Sequence, residues 1–151
     1  MRVGDLLFVY GSLRLGEASD LSMWNGAKSA RFIGTDTICG KLYDCGWYPG
    51  VKEAEDFIAS SLVDYVHGEV FEILEEQAVG ALDGYEGYPS LYDRIRVETN
   101  EGRTVWVYTY NPPVSDERRV DSGDWVLYRK GPNDIDVVTG GEMPPPHFEQ
   151  R

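Results

Sequence analysis

One acidic side chain in the sequence has neighbours suited to acid–base chemistry. Glu86 ends a segment of helical periodicity, precedes Gly87, and has Tyr85, Tyr88 and Tyr92 close to it along the chain. Aromatic neighbours exclude water and favour the protonated form of a carboxyl group, as a general acid–base catalyst near neutral pH requires. The chain contains 26 acidic residues, so an ordinary surface carboxylate is the alternative interpretation of Glu86.

A second candidate is the turn that ends the first predicted strand. Leu6–Tyr10 has the apolar character of a buried strand, and Gly11-Ser12 interrupts it. Consecutive backbone N–H groups at such a break point outward and form a concavity for a carboxylate or a developing oxyanion. An ordinary strand–turn is the alternative interpretation. Arg14 is either a positive charge for this site or a solvated surface residue.

Other kinds of catalytic site find little support in the sequence. His67 and His147 have no triad or metal-ligand partners at a recognisable spacing. Gly40-Lys41 is followed by leucine, so it does not begin a phosphate-binding loop. Cys39 and Cys45 are too few for a structural zinc site, and we expect buried or half-buried free thiols. The sequence therefore predicts a site without a metal or a cofactor.

Length and charge narrow the class of protein. The 151 residues are 42% hydrophobic, enough for the core of one domain, and the net charge is −12. An acidic surface repels phosphate backbones and anionic bilayers. No apolar stretch approaches the roughly 20 residues of a membrane span, and Leu6–Tyr10 is too short for a signal-peptide core. We expect a cytoplasmic protein without nucleic-acid or membrane partners.

The periodicity of the sequence predicts an α+β fold with a mixed or antiparallel sheet that is strongly curled. We expect one domain over residues 1–142 and a flexible C-terminal tail over residues 143–151. The predicted strands are Leu6–Tyr10, one or two within Lys28–Tyr43, one within Ser61–Ile73, and Tyr92–Glu98 and Thr104–Tyr110 joined by a hairpin at Asn100-Glu101-Gly102. The other predicted elements are a helix over Leu74–Tyr85 stopped at Gly84 or Gly87, a turn at Trp47-Tyr48-Pro49-Gly50 and a short helix or irregular segment within Val120–Arg129.

Three short motifs follow one another in a family-specific order. They are Tyr10-Gly11-Ser12-Leu13, Asp83-Gly84-Tyr85-Glu86-Gly87 and Val107-Tyr108-Thr109-Tyr110. This ordered set resembles the γ-glutamylcyclotransferase-like superfamily, especially its AIG2-like and γ-glutamylamine cyclotransferase branch, over roughly residues 6–128. The resemblance implies a small β-barrel with flanking helices and a pocket at one end.

The resemblance also implies roles for individual residues. Glu86 matches the catalytic glutamate of the family. Leu13 stands where some members have asparagine, which points away from the glutathione-degrading and peptide-type branches. The positions implied to bind substrate are Tyr10, Gly11, Ser12 and Leu13 of the loop, Tyr108 and Tyr110 of a strand, and Tyr48 and Pro49 of the opposite wall.

The implied activity is the cyclisation of a γ-glutamyl amide to 5-oxoproline with release of the free amine or amino acid. Such a substrate carries its own nucleophile, so ring closure needs no covalent enzyme nucleophile. γ-Glutamyl-ε-lysine, another γ-glutamyl amino acid and a γ-glutamyl-protected antibiotic intermediate are all compatible substrates. The sequence is compatible with a monomer and with a homodimer. One alternative is a catalytically inactive small-ligand-binding or regulatory module on the same fold. Another is an acidic mimic of nucleic acid, which the even charge distribution and the aromatic content disfavour.

Overall fold

Seven strands and two α-helices lie within the residues that the computed structural model describes, 1–53 and 64–130. Within these residues, no helix has the length and apolar character needed to cross a bilayer. The predicted domain limit at residue 142, the tail over 143–151 and His147 lie outside them. The strands are β1 (Leu6–Val9), β2 (Ala30–Cys39), β3 (Lys41–Asp44), β4 (Pro49–Lys52), β5 (Tyr65–Ile73), β6 (Tyr92–Glu98) and β7 (Thr104–Tyr110). The helices are α1 (Glu76–Glu86) and α2 (Trp125–Lys130), with 3-10 turns at Leu21–Met23 and Asp116–Arg118.

Strand β1 occupies the middle of a five-stranded sheet with the order β2-β5-β1-β7-β6. It runs antiparallel to β5 and parallel to β7, whereas β2 pairs with β5, and β6 with β7, in the antiparallel sense. The hairpin predicted between β6 and β7 is confirmed. Because β1 is the central strand and has only four residues, the loop that follows it leaves the sheet midway between the two outer strands.

The α+β class is confirmed, but the expectation of a strongly curled barrel is wrong. In the described part of the chain, the five-stranded sheet is open, with β2 and β6 as its two edges. Strands β3 and β4 form a separate antiparallel pair. Closing a barrel requires a matching stagger between the edge strands, and hydrophobic alternation within single strands does not encode that stagger.

Alternation along β1 directs its side chains into two separate cores. Leu7 and Val9 pack on the side of α1, and Phe8 and Tyr10 pack on the side of β3, β4 and α2. Buried partners on the α1 side include Leu21, Phe71, Ile73, Ala78, Leu82, Tyr92 and Tyr108. Those on the other side include Ile38, Leu42, Val51, Val66, Val70, Val107 and Trp125. A pocket at the end of β1 is therefore supported from both faces of the sheet.

Helix α1 carries a charged residue on its buried face. Ala78, Leu82 and Glu86 are its buried residues, spaced four apart and therefore aligned on one side of the helix. The helix stops where predicted, because Gly87 takes the left-handed conformation at φ 71°. A carboxylate in the last turn of a buried helical stripe is costly unless it is paired or functional. The predicted start of this helix at Leu74 is wrong, since Leu74 precedes the helix and is exposed.

The turn predicted at Trp47–Gly50 lies slightly earlier in the chain. The Cys45 N–H group donates to the Tyr48 carbonyl oxygen at 2.9 Å, and Pro49 already begins β4. Proline is tolerated there because the first residue of a strand need not donate to the ladder. Both cysteines are free thiols, with Cys39 exposed rather than buried and Cys45 half-buried.

Two glycines in different environments give opposite predictions for stability. A Cβ atom on Gly68 in β5 would lie 2.1 Å from the Val9 carbonyl oxygen, so Gly68→Ala forces the backbones of β1 and β5 apart. We expect this change to lower the free energy of unfolding by about 1–3 kcal/mol or more, as overpacking a core does.

Gly80 is exposed on α1 with nothing within 4 Å of its Cβ position, so Gly80→Ala should be stabilising by about 0.5–1 kcal/mol. Urea denaturation measures both, and a Gly68→Ala variant as stable as the wild type would contradict the spacing of β1 and β5.

Candidate active site

A pocket lies where the end of β1 meets the end of α1. Its volume is about 30 Å³, so the small polar end of a ligand, rather than a whole ligand, reaches its floor. It brings together every residue predicted for the site except Tyr48 and Tyr110. The residues that line it are Phe8, Val9, Tyr10, Gly11, Ser12, Leu13, Pro49, Glu86, Tyr92 and Tyr108.

Tyr48 and Tyr110 lie behind the wall of this pocket rather than in it. The ring of Tyr110 is in edge contact with Tyr48 at 6.1 Å and with Tyr92 at 5.3 Å between centroids. Tyr92 does line the pocket, and its hydroxyl donates to the Pro49 carbonyl oxygen at 2.6 Å. Tyr110 thus supports Tyr92, and Tyr92 fixes the wall at Pro49.

Tyr92 is a site residue that the sequence analysis did not select. The signal was present in the hairpin, since Tyr92 lies directly opposite Tyr110 in the β6–β7 register. Opposed residues of an antiparallel pair project from the same face, so Tyr92 belongs with Tyr108 and Tyr110. Phe8 and Val9 were also missed, because the periodicity of β1 marks them only as core residues.

Glu86 is 7% exposed and contributes to the pocket from the last turn of α1. Tyr92 and Tyr108 share the pocket with it. Tyr85 and Tyr88, which are close to Glu86 along the chain, contact other residues: the Tyr85 hydroxyl contacts Ser12, and the Tyr88 ring covers Arg94. The burial indicated by the aromatic neighbours is present around Glu86.

The loop after β1 presents donors rather than acceptors. In the described part of the chain, the N–H groups of Gly11, Ser12 and Leu13 form no hydrogen bond. Their carbonyl oxygens accept from the N–H groups of Arg14, Ser19 and Leu21 at 3.0, 2.9 and 3.0 Å. Three successive backbone donors remain for an anionic or carbonyl oxygen, the arrangement predicted from the strand break.

A hydroxyl contact ties this loop to the helix that carries Glu86. The Oγ atom of Ser12 lies 2.6 Å from the Tyr85 hydroxyl oxygen, and that hydroxyl donates to Ser19 Oγ at 3.1 Å. Tyr85 directly precedes Glu86. The donors of the loop and the carboxylate are therefore held in a fixed relation.

Arg14 is a structural residue rather than a charge for this pocket. Its guanidinium group pairs with Glu69 at 2.9 Å and with Asp124 at 3.1 Å, so it fastens the loop to β5 and to the start of α2. It lines a second, open cleft together with His67. Within residues 1–53 and 64–130, no group of three metal-ligating side chains converges in this cleft or elsewhere.

A charged network fastens the end of α1 to the sheet. Asp83 accepts two hydrogen bonds from the Arg94 guanidinium, both at 2.9 Å, and a third from the Tyr108 hydroxyl at 2.6 Å. Arg94 and Tyr108 are opposite each other in the β6–β7 ladder. The guanidinium carbon of Arg94 lies 4.3 Å from the ring centroid of Tyr88 and 5.4 Å from that of Trp106. Bidentate and stacked contacts of this kind fix a guanidinium in one orientation.

The chain is similar over most of its length to proteins of one family. Residues 7–127 match the family model described as "Gamma-glutamyl cyclotransferase, AIG2-like". A Vibrio cholerae protein that bears the family's name is 35% identical over 120 residues, which are 80% of this chain and 94% of that protein. A Niallia circulans protein named "Gamma-L-glutamyl-butirosin B gamma-glutamyl cyclotransferase" is 33% identical over 132 residues, 82% of this chain and 76% of that protein. The solution structure of protein ytfP from Escherichia coli matches with a TM-score of 0.57 at 32% identity, covering 83% of this chain and 99% of that one.

The contact between Gly11 and Pro49 gives a prediction that needs no ligand. A Cβ atom on Gly11 would lie 2.7 Å from Pro49 Cγ, so Gly11→Ala drives the loop and the opposite wall apart. We expect a loss of about 1–3 kcal/mol in the free energy of unfolding. Pro49→Ala removes the colliding atom, so the double variant should lose less than the sum of the single variants by more than about 0.5 kcal/mol. Urea denaturation of the four proteins measures this coupling, and additive losses would contradict the contact.

Asp83 gives a prediction for acid stability. Burial alone would raise the pKa of Asp83, but hydrogen bonds from Arg94 and Tyr108 outweigh it and hold the pKa below its usual value. Such a carboxylate stabilises the fold above its unfolded pKa, and this contribution is lost as the pH falls through the folded pKa. We expect Asp83→Asn to be less stable than the wild type at neutral pH by about 1–3 kcal/mol, with a shallower loss below about pH 4. Urea titrations across this pH range measure both slopes, and parallel curves for the two proteins would contradict the assignment.

Proposed function

The chain belongs to the γ-glutamyl cyclotransferase, AIG2-like family, and from that premise we propose that it cyclises γ-glutamyl amides to 5-oxoproline with Glu86 as the general acid–base. The observation that carries the proposal is one pocket with a buried carboxylate and three backbone N–H donors that form no hydrogen bond within the described residues. A γ-glutamyl group brings to such a pocket an α-ammonium, an α-carboxylate and a γ-carbonyl. The Glu86 carboxylate suits the α-ammonium group, and the backbone N–H donors suit the oxygens of the α-carboxylate and the γ-carbonyl.

The first step concerns the α-ammonium group. The Glu86 carboxylate accepts one proton from it, which frees the nitrogen lone pair to attack the γ-carbonyl carbon. A new C–N bond closes the five-membered ring, and the carbonyl electrons move onto oxygen. The attacking group is part of the substrate, so this step proceeds at the high effective concentration of an intramolecular reaction.

The second step releases the amine. Glu86 returns its proton to the departing nitrogen as the original amide C–N bond breaks and the oxyanion collapses to the lactam carbonyl. After ring closure the ring nitrogen loses a second proton to water, and the freed amine takes up one proton from water. The products are a neutral lactam nitrogen in 5-oxoproline and an ammonium group on the amine, so protons and charge balance.

The loop after β1 has two tasks in this scheme. The N–H groups of Gly11, Ser12 and Leu13 bind the substrate carboxylate or the oxyanion that forms on ring closure. One backbone or amide donor in a comparable oxyanion site contributes about 2.7–4 kcal/mol. The part-buried contact between Ser12 and Tyr85 keeps these donors from reorganising during the reaction. Pro49 and Tyr92 form the wall against which the γ-glutamyl chain lies.

The amine half of the substrate extends beyond the floor of the pocket. γ-Glutamyl-ε-lysine, other γ-glutamyl amino acids and γ-glutamylated aminoglycosides present the same γ-glutamyl end. The relative from Niallia circulans is named for an aminoglycoside substrate of this type. We therefore include all three kinds of compound as substrate candidates.

The test is release of 5-oxoproline from these three classes of compound, followed by mass spectrometry. We expect Glu86→Gln to lower kcat by at least about 10²-fold, the usual contribution of a general acid–base. Glu76→Gln is the matched control, because Glu76 is an exposed glutamate in the first turn of the same helix, and it should keep wild-type activity. Full activity of a folded Glu86→Gln protein would overturn the assignment. Binding of a γ-glutamyl compound by the wild type without release of 5-oxoproline would favour a ligand-binding module.

A further inference from the structure

We propose that Asp83 is a positioning residue that commits the hydroxyl proton of Tyr108, so that the Tyr108 oxygen accepts a hydrogen bond from the α-ammonium group of the substrate. The inference rests on the proposed function and assigns the part of the site that recognises the γ-glutamyl amine. Glu86 alone does not satisfy this group, because an ammonium carries three donors.

The contact between Asp83 and Tyr108 fixes the direction of the hydroxyl. Tyr108 lines the pocket, whereas Asp83 lies behind it and is not part of the lining. The 2.6 Å separation of Tyr108 Oη and Asp83 Oδ1 is that of a short hydrogen bond to a charged acceptor. An ionised carboxylate only accepts, so the tyrosine is the donor and its proton lies on the side of Asp83. The remaining lone pairs of the oxygen act only as acceptors.

Arg94 keeps Asp83 in the state that this role requires. Its two hydrogen bonds occupy both carboxylate oxygens, and the side chains of Asp83 and Arg94 are only 20% and 14% exposed. The pKa of Asp83 is held below its usual value by these bonds, although burial acts in the other direction. Burial, together with the charges of Asp83 and Glu86, raises the pKa of the Tyr108 phenol. Across neutral pH the pair is therefore a carboxylate and a neutral phenol.

The pocket is then divided into donors and acceptors. The N–H groups of the loop donate, which suits carboxylate and carbonyl oxygens. Glu86 and the oriented Tyr108 accept, which suits an ammonium group. Glu86 and Tyr108 both line this pocket, so the two acceptors face the space that the ammonium group would occupy. This division matches the head group of an amino acid and selects against acyl groups that lack the amine.

The test compares two ligands that differ only in the ammonium group: a γ-glutamyl amide and the corresponding glutaryl amide. Calorimetric titration uses Glu86→Gln protein, in which turnover is blocked, with Asp83→Asn, Tyr108→Phe or both added. We expect each change to weaken binding of the γ-glutamyl amide by about 10- to 100-fold, the effect of one hydrogen bond to a charged group. Binding of the glutaryl amide, which reports any displacement of α1, should weaken far less than that of the γ-glutamyl amide. The double change should cost no more than one alone, because both remove the same acceptor.

The matched control is Asp36→Asn. Asp36 pairs with Arg103 at 2.7 Å and its side chain is fully buried, but it lines the second cleft instead of this pocket. It should lower stability without changing either affinity. In the Glu86-containing enzyme, Asp83→Asn should raise KM more than it lowers kcat, a split that a general loss of packing does not produce.

Two outcomes would overturn the role of Asp83: equal weakening of both ligands, which indicates displacement of α1, or no weakening of either. If Asp83→Asn does not fold, Tyr108→Phe tests the proposal instead. If that variant does not selectively lose affinity for the γ-glutamyl amide, the Tyr108 oxygen is not an acceptor for the ammonium group, and Asp83 has nothing to orient. Failure of the proposed function is a separate result. It is the absence of 5-oxoproline release by the wild type, whereas the pair of binding constants judges Asp83 alone.

Discussion

The bidentate ion pair between Asp83 and Arg94 is the contact on which the geometry of the pocket depends. Helix α1 is short, and its apolar face offers only Ala78 and Leu82 as fully buried packing residues. Such a surface resists separation from the sheet but tolerates sliding along it. The two parallel hydrogen bonds, with the guanidinium held between Tyr88 and Trp106, select one position of the helix end. Such a charge pair adds little net stability over an apolar pair, although removing one partner is costly because the other charge is left unpaired. The value of the pair here is the register of α1 on β6 and β7.

This register explains why a protein with few conventional catalytic groups has a defined site. Glu86 lies three residues after Asp83, on the same side of the helix, so fixing one carboxylate also fixes the other. On the opposite side of the pocket, the loop after β1 is fastened twice, by Arg14 to Glu69 and by Ser12 to Tyr85. Preorganised groups of this kind need no rearrangement when charge develops, and this is the main requirement for electrostatic stabilisation of a transition state.

The sequence was informative where structure depends on near neighbours. The helix stop at Gly87, the β6–β7 hairpin and the strand break at Gly11 follow from residues within a few positions of each other, and all three are present. The open sheet, by contrast, depends on pairings between distant segments, as β1 with β5 and β7 shows. Asp83 and Arg94 illustrate the same limit within the site. Each resembles an ordinary surface charge in the sequence, and only the docking of α1 on β6 brings them together.

The central position of β1 also determines when the pocket forms during synthesis. The first strand made pairs with residues 69–72 and with Trp106, so it waits unpaired while most of the domain is still being translated. The floor of the pocket draws on residues from Phe8 to Tyr108, and no shorter nascent chain contains all its parts. Translation at about 5–20 residues per second leaves the apolar segment from Leu6 to Tyr10 exposed for several seconds. A chain organised in this way has its greatest need of chaperones before the residues of the pocket have come together.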